Sequence, residues 1–449
     1  MTIRERNVVV MGAGGRDFHD FATVFRDDPA VRVVAFTAAQ IPGIADRIFP
    51  ASLAGPRYPD GVPIVDEATL VDLIARERVD EVVLAYSDLS HVEVMHRASI
   101  VLAAGADFRL LGPASTSLRS STPVVAVCAG RTGAGKSQTS RFVCGFLRDA
   151  GMRVALVRHP MPYGDLEAMR VQRFATLDDI DAANPTIEER EEYEAPVEMG
   201  VVTWAGVDYG EILERASLEA DVIVWDGGNN DFPFFVSDLM ITVVDPLRAG
   251  DEVSYHPGET CLRLADVIVI NKVDVASAEQ VDVVRRNASA CNPDAIIVET
   301  ASPVSVDAGP SLEGVRVLVI EDGPTLTHGG MAFGAGATAA RLAGAIPIDP
   351  RPYAVGLVAD VLAAHPAIEA ALPAVGYSSE ELGDLERSID AVPCDVVLAA
   401  TPIDLAHVVS SRRPIRQVRY SLEERPPGAL SSILGRFVAE LRPREPHPR

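Results

Sequence analysis

Short runs of β-branched residues recur along the chain, separated by stretches with helical spacing. In the first third, residues 7–11, 31–38 and 79–85 read as buried strands, and residues 18–26 and 67–78 read as helices. Strands alternating with helices predict an α/β fold on a parallel sheet. Residues 112–123, rich in Ser, Thr and Pro, read as a linker. A second α/β block then opens, with strands expected at 124–129, 153–158, 222–226, 239–244, 267–271, 295–299 and 315–321. Residues 178–194 are strongly acidic and read as a solvated helix. A smaller α/β tail follows from about residue 345, with strands at 396–400 and 416–420 and a last helix at 430–441. The expected division is 1–120, 121–345 and 346–449.

A chain of 449 residues is long enough for two or three cores. The net charge of −24 argues against binding to nucleic acid or to an anionic membrane surface. No run reaches the length of a membrane span, and the apolar run after the N-terminus is too brief for a signal-peptide core. The five cysteines are scattered, without a CxxC pair, which predicts neither a disulfide framework nor a thiolate metal site. A soluble cytoplasmic protein is expected. The basic residues change the picture most. Of 40, only Lys136 and Lys272 are lysine. An ammonium and a planar guanidinium are not interchangeable, so these positions are candidates for slots that a fork does not fit.

Both lysines fall in nucleotide-binding patterns. Gly130, Arg131, Thr132, Gly133, Ala134, Gly135, Lys136 and Ser137 fill every position of the phosphate-loop pattern. An apolar strand precedes them, and an amphipathic helix from Gln138 follows. Such a loop curls so that its amides point inward at the phosphates of ATP or GTP. Lys136 is expected on the β- and γ-phosphates and Ser137 on Mg²⁺. Asp226, ending the run Val222, Ile223, Val224, Trp225, is the candidate second metal ligand. Asn271, Lys272 and Asp274 follow another strand in the Asn-Lys-x-Asp pattern that reads guanine in GTP-binding proteins. Here they are expected to hold the base, adenine or guanine.

Three further segments carry candidate substrate contacts. Arg158 and His159 stand at the end of a strand, placed to clamp an anionic substrate. His328, a candidate phosphate contact or proton shuttle, lies in a loop dense in turn residues and hydroxyls, leading to Gly334 and Gly336 at the start of an Ala-rich helix. A second anion-binding helix terminus is expected there. Near the N-terminus, Gly12, Gly14, Arg16 and His19 fail the dinucleotide pattern at Asp17 and are expected to receive a phosphorylated or acidic group. Helical spacing puts Asp17 and His19 on different faces, which excludes a dyad.

The segments GAGGRDFHDF from Gly12, the phosphate loop from Gly130, RHPMPYGDL from Arg158, ATLDDIDAANPTIEEREEYE from Ala175, EDGPTLTHGGMAFGAG from Glu321 and ATPIDL from Ala400 resemble the cyclic 2,3-diphosphoglycerate synthetases. The resemblance implies an N-terminal Rossmann-like domain, a central phosphate-loop NTPase domain and a small C-terminal α/β domain. It also implies a dimeric, cytoplasmic, ATP- and Mg²⁺-dependent ligase that closes 2,3-diphosphoglycerate into an intramolecular pyrophosphate. Arg131, Lys136, Arg158 and magnesium would then hold the substrate phosphates together. Two alternatives stay open: a regulatory GTPase or metallochaperone-type switch, motivated by Asn271 to Asp274, and a kinase that stops after phosphorylating 2-phosphoglycerate.

Overall fold

The computed structural model describes residues 4–39, 47–158, 164–227, 231–327, 329–376, 379–401, 405 and 409–441. Three sheets organise them, each built mainly from parallel strands. The first orders its strands as Ile48–Phe49, Val62–Asp66, Val31–Ala38, Arg6–Met11, Glu81–Leu84 and Asp107–Leu110. Val8, Val33, Phe36 and Val83 pack on one face and Val9, Ala35, Val82 and Leu84 on the other. Coverage on both faces is why these strands read as unbroken apolar runs.

The central sheet places the phosphate-loop strand Val124–Ala129 between Val222–Trp225 and Leu239–Val244. Val154–Arg158 lies beyond the former and Val267–Ile270 beyond the latter. The parallel order of the inner strands puts their carboxyl ends on one edge, where ligands of open α/β sheets collect. Gln172–Phe174 and Glu423–Arg425 close the two sides as antiparallel edge strands.

Two elements belong elsewhere than expected. The strand Arg316–Asp322 is the hub of the third sheet, pairing with Val396–Ala400, Ala371–Ala374 and Ile346–Pro347. The chain therefore leaves the central sheet after Ile296–Ala301, well before residue 345. It also comes back: Leu430, Leu434 and Phe437 of the last helix pack with Val127, Val143 and Ile241 of the central core. Periodicity shows that a face must be buried and is silent about its partner.

The expected linker is firmly seated. Leu118 N–H donates to Phe234 O (2.8 Å), and Val236 N–H donates to Leu118 O (2.9 Å). The first and central units are also joined by a two-stranded antiparallel pair, Leu89–Ser90 with Tyr255–His256. Among the described residues, no helix is long and apolar enough to cross a membrane.

Candidate active site

Gly130 leaves its strand with its N–H still on Val243 O (2.8 Å), and the chain turns into the helix Lys136–Asp149. Gly135 opens that helix at φ 112°, where a side chain is strained, and a Cβ there would also overlap Asn271 Nδ2. No side chain caps this terminus. The first-turn amides are thus left for an incoming acceptor, and the helix dipole adds positive potential.

Two lysine–aspartate pairs flank the loop. Asp226 and Asp245 follow the two strands beside the phosphate-loop strand. Lys136 Nζ pairs with Asp226 Oδ1, and Arg158 Nη1 approaches Asp226 Oδ2 at 2.7 Å. Arg158 also pairs with Glu192. On the other side, Lys272 Nζ lies 2.8 Å from Asp245 Oδ2 and 2.6 Å from Gly133 O. Burial alone would raise the Asp226 carboxyl, yet Arg158 and Lys136 outweigh it and hold the pKa below the ordinary carboxylate range. Asp245 is depressed in the same way, with burial overcome by Lys272 and Arg248. Burial lowers the Lys136 pKa, partly offset by Asp226.

Asn271 holds the loop from below. Its Nδ2 donates to Ala134 O (3.0 Å) while its Oδ1 accepts from Thr300 Oγ1 (2.9 Å). Asp274 is exposed, and its Oδ1 accepts the Ser302 amide (2.9 Å). Of the base-reading trio, Asn271 and Lys272 thus fix the loop's backbone in this structure.

The loop opens into a cleft of about 180 Å³ whose far wall comes from the third sheet. Ser137, Gln138, Arg158 and Glu192 line the near side, and Glu321, Asp322, Thr325 and Phe333 the far side. Arg248 ties the walls together: Nη2 donates to Thr132 O (2.8 Å) and Nη1 to Gly329 O (2.7 Å).

Several expectations need correction. The helix start at Gly334 is already occupied: Glu321 accepts the amides of Gly334 (3.0 Å), Gly336 (3.0 Å) and Ala337 (2.8 Å). Burial raises that carboxyl to about 7 despite the three amides. The N-terminal loop is not an anion receptor either. Asp17 takes the Gly14 and Gly15 amides, Arg16 Nη2 donates to Leu111 O (2.9 Å), and Arg16 stacks over Phe232 at 4.2 Å. His19 stacks on Phe234 at 4.1 Å and bonds Thr116 O. Burial pushes its pKa down to about 4, so the ring is neutral and cannot neutralise a phosphate. Arg16 and His19 therefore build the seam between the first and central units, while the Gly12 and Gly14 amides are spent inside the first unit on Thr37 O and Asp17.

The Arg131 side chain is committed to Asp88 and Asp251 and lies 3.6 Å above the Tyr255 ring, leaving its backbone to serve the loop. The expected metal pair is also revised. Both Asp226 oxygens hold cations, so a divalent ion does not fit on that carboxylate while Lys136 occupies it. Ser137 lines the cleft, and among the described residues no cluster of three or more His, Cys, Asp or Glu forms a metal site. His159 and His328 lie outside the described residues.

Sequence reasoning missed Asp245, Arg248, Glu192 and the acidic wall. Asp245 was within reach, since it ends the next strand just as Asp226 ends its own. Glu192 sits in the stretch read as a solvated helix, which is in fact two helices, Leu177–Ala183 and Ile187–Glu198.

Fold and site together define a phosphate-loop nucleotide-binding α/β protein, and residues 219–299 match the family described as CobW/HypB/UreG, nucleotide-binding domain. The arginine synthetase ArcE of Thermococcus kodakarensis is 53% identical over 422 residues, 94% of each chain. The chain belongs to the arginine synthetase ArcE family. A cyclic 2,3-diphosphoglycerate synthetase of Thermococcus sibiricus is 33% identical over 84 residues, only 19% of either chain. The resemblance to those synthetases is therefore partial, and the full-length likeness lies with the arginine enzyme. A crystal structure of LpxK from Aquifex aeolicus in complex with ATP covers 83% of this chain and 99% of its own, at 11% identity and a TM-score of 0.44.

Proposed function

We propose that the protein is an ATP-dependent ligase that forms arginine by phosphorylating a ureido oxygen and letting ammonia displace the phosphate. The observation that carries this reading is the uncapped phosphate-loop helix opening into a cleft shared with a second wall, in a chain 53% identical to an arginine synthetase over 94% of its length. Arginine differs from its ureido counterpart, citrulline, by one nitrogen in place of one oxygen. That oxygen is a poor leaving group. In the proposed sequence it attacks the γ-phosphorus, the bond to the β-phosphate oxygen breaks, and ADP departs. Ammonia then adds to the ureido carbon, loses a proton, and the C–O bond breaks to release inorganic phosphate.

The chain's residues have defined tasks in this scheme. Loop amides and Lys136 hold the triphosphate, and Arg158 disperses charge on the transferred group. Asp226 keeps both cations aimed at the cleft. Magnesium, which neutralises phosphate charge when bound, would be held by Ser137 and the triphosphate itself. Whether the base is adenine or guanine falls to the region of Lys272 and Asp274.

A second reading, closure of a phosphoanhydride in 2,3-diphosphoglycerate, draws on the partial match to the cyclic synthetases and shares the first step. One set of incubations decides. Mg-ATP with citrulline and ammonia should yield arginine, ADP and phosphate in equal amounts. Nucleotide consumption indifferent to both co-substrates rejects the arginine reading. A new upfield pyrophosphate pair in the phosphorus NMR spectrum, seen only with 2,3-diphosphoglycerate, selects the alternative.

A further inference from the structure

Among the described residues, the cations lining the cleft come from the central unit: Arg131, Lys136, Arg158 and Lys272. The opposite wall contributes Glu321 and Asp322, and among its described residues no Lys, Arg or His. A substrate carrying two phosphate dianions would set one of them against the Glu321 and Asp322 carboxylates, with no cation among the described lining residues of that wall to offset the repulsion, which costs free energy in a confined cleft. A planar group bearing several N–H donors meets the reverse situation, because carboxylates accept such donors in charge-assisted, often paired hydrogen bonds.

Resting on the arginine-forming reading, we propose that the third-sheet wall is the acceptor subsite and that Asp322 selects a ureido or guanidino head group against phosphorylated acids. The two carboxylates divide the work. Glu321 is buried and spends both oxygens on the amides of Gly334, Gly336 and Ala337, so it fixes the wall. Asp322, half-buried beside it, caps the next turn through the Thr325 amide (3.2 Å) and hydroxyl, which sets its carboxylate at the cleft. That turn lies directly on the phosphate loop, since a Cβ built on Gly133 would stand 3.3 Å from Thr325 Cγ2. A head group at Asp322 is thereby held near the loop. Met331 and Phe333 line the same wall and offer apolar contact to a three-carbon stem.

The test uses the full-length protein, with arginine and Mg-ADP titrated separately by calorimetry. Asp322→Asn retains an acceptor for Thr325 and removes the charge. It should weaken arginine binding about tenfold or more, the expected effect of losing a charged hydrogen-bond partner. Mg-ADP affinity and the Mg²⁺ requirement of turnover should stay as in the parent. Phe333→Ala, which leaves the turn intact, should also weaken arginine and spare Mg-ADP. Unchanged arginine affinity in Asp322→Asn overturns the subsite while leaving the ligase reading standing. A parallel loss of Mg-ADP affinity also overturns it, by assigning Asp322 to metal or nucleotide. Wild-type protein that binds Mg-ADP and no arginine removes the parent reading itself.

Discussion

Lys136 and Lys272 each reach an aspartate at the end of a strand flanking the phosphate loop, and each does so with a compact ammonium in a tight space. A guanidinium fork is wider and needs its donors spread in a plane, so the slot does not accept it. Lys136→Arg should fold, by circular dichroism, and lose turnover about a hundredfold or more, the scale of deleting one preorganised donor to a developing charge. Near-parental ADP release from this variant would refute the argument. Asp226→Asn leaves two buried cations poorly compensated and should destabilise the fold by about 3–5 kcal/mol in urea unfolding. Asp20, in the seam beside Arg16, offers a pH test. Burial is the largest influence on it and, with Arg16 only partly offsetting, raises its pKa from 3.8 to about 7. A carboxyl whose folded pKa is raised keeps its proton more tightly folded than unfolded, so its contribution to stability falls as pH climbs from about 4 to about 7 and is flat above. Asp20→Asn should therefore lose less Tm than the parent between about pH 5 and about pH 7.5, and parallel Tm curves would contradict the assignment.

At the scale of elements, contiguity decided what the sequence could reveal. The strand, glycine loop and helix around residues 124–149 form one uninterrupted segment whose physics is local, and they lie where the pattern puts them. The acidic wall escaped notice because Glu321 and Asp322 end a strand that joins a different sheet from its sequence neighbours, and strand pairing is not written in periodicity. The N-terminal glycines misled for a related reason. A glycine turn after a strand announces amides in need of acceptors, but Asp17, three residues on, already supplies them. The last helix, Ala429–Leu441, was legible as an element and placed with the wrong core. Leu434, fully buried there, tests the corrected placement. Leu434→Ala should cost about 2–5 kcal/mol and lower Tm without altering the third sheet. Hydrogen exchange in that variant should accelerate at residues 136–149 before residues 316–322, and the opposite order would show that the helix serves the third sheet.

In the whole molecule, the central sheet carries the phosphate loop, the third sheet supplies the facing wall, and the first unit braces the loop from behind through Asp88 and the buried seam. Arg248 bonds to both walls at once, through Thr132 and Gly329. Arg248→Ala should loosen the cleft and raise the KM for nucleotide and acceptor together, whereas a change confined to one substrate would show that the walls act independently. The account stands on phosphoryl transfer across this cleft from the loop-bound nucleotide to an acceptor oxygen. Citrulline carrying oxygen-18 in its ureido group reads that step directly when turned over with Mg-ATP and ammonia. The label should emerge in inorganic phosphate in step with arginine formation; arginine formed while the phosphate stays unlabelled would contradict it.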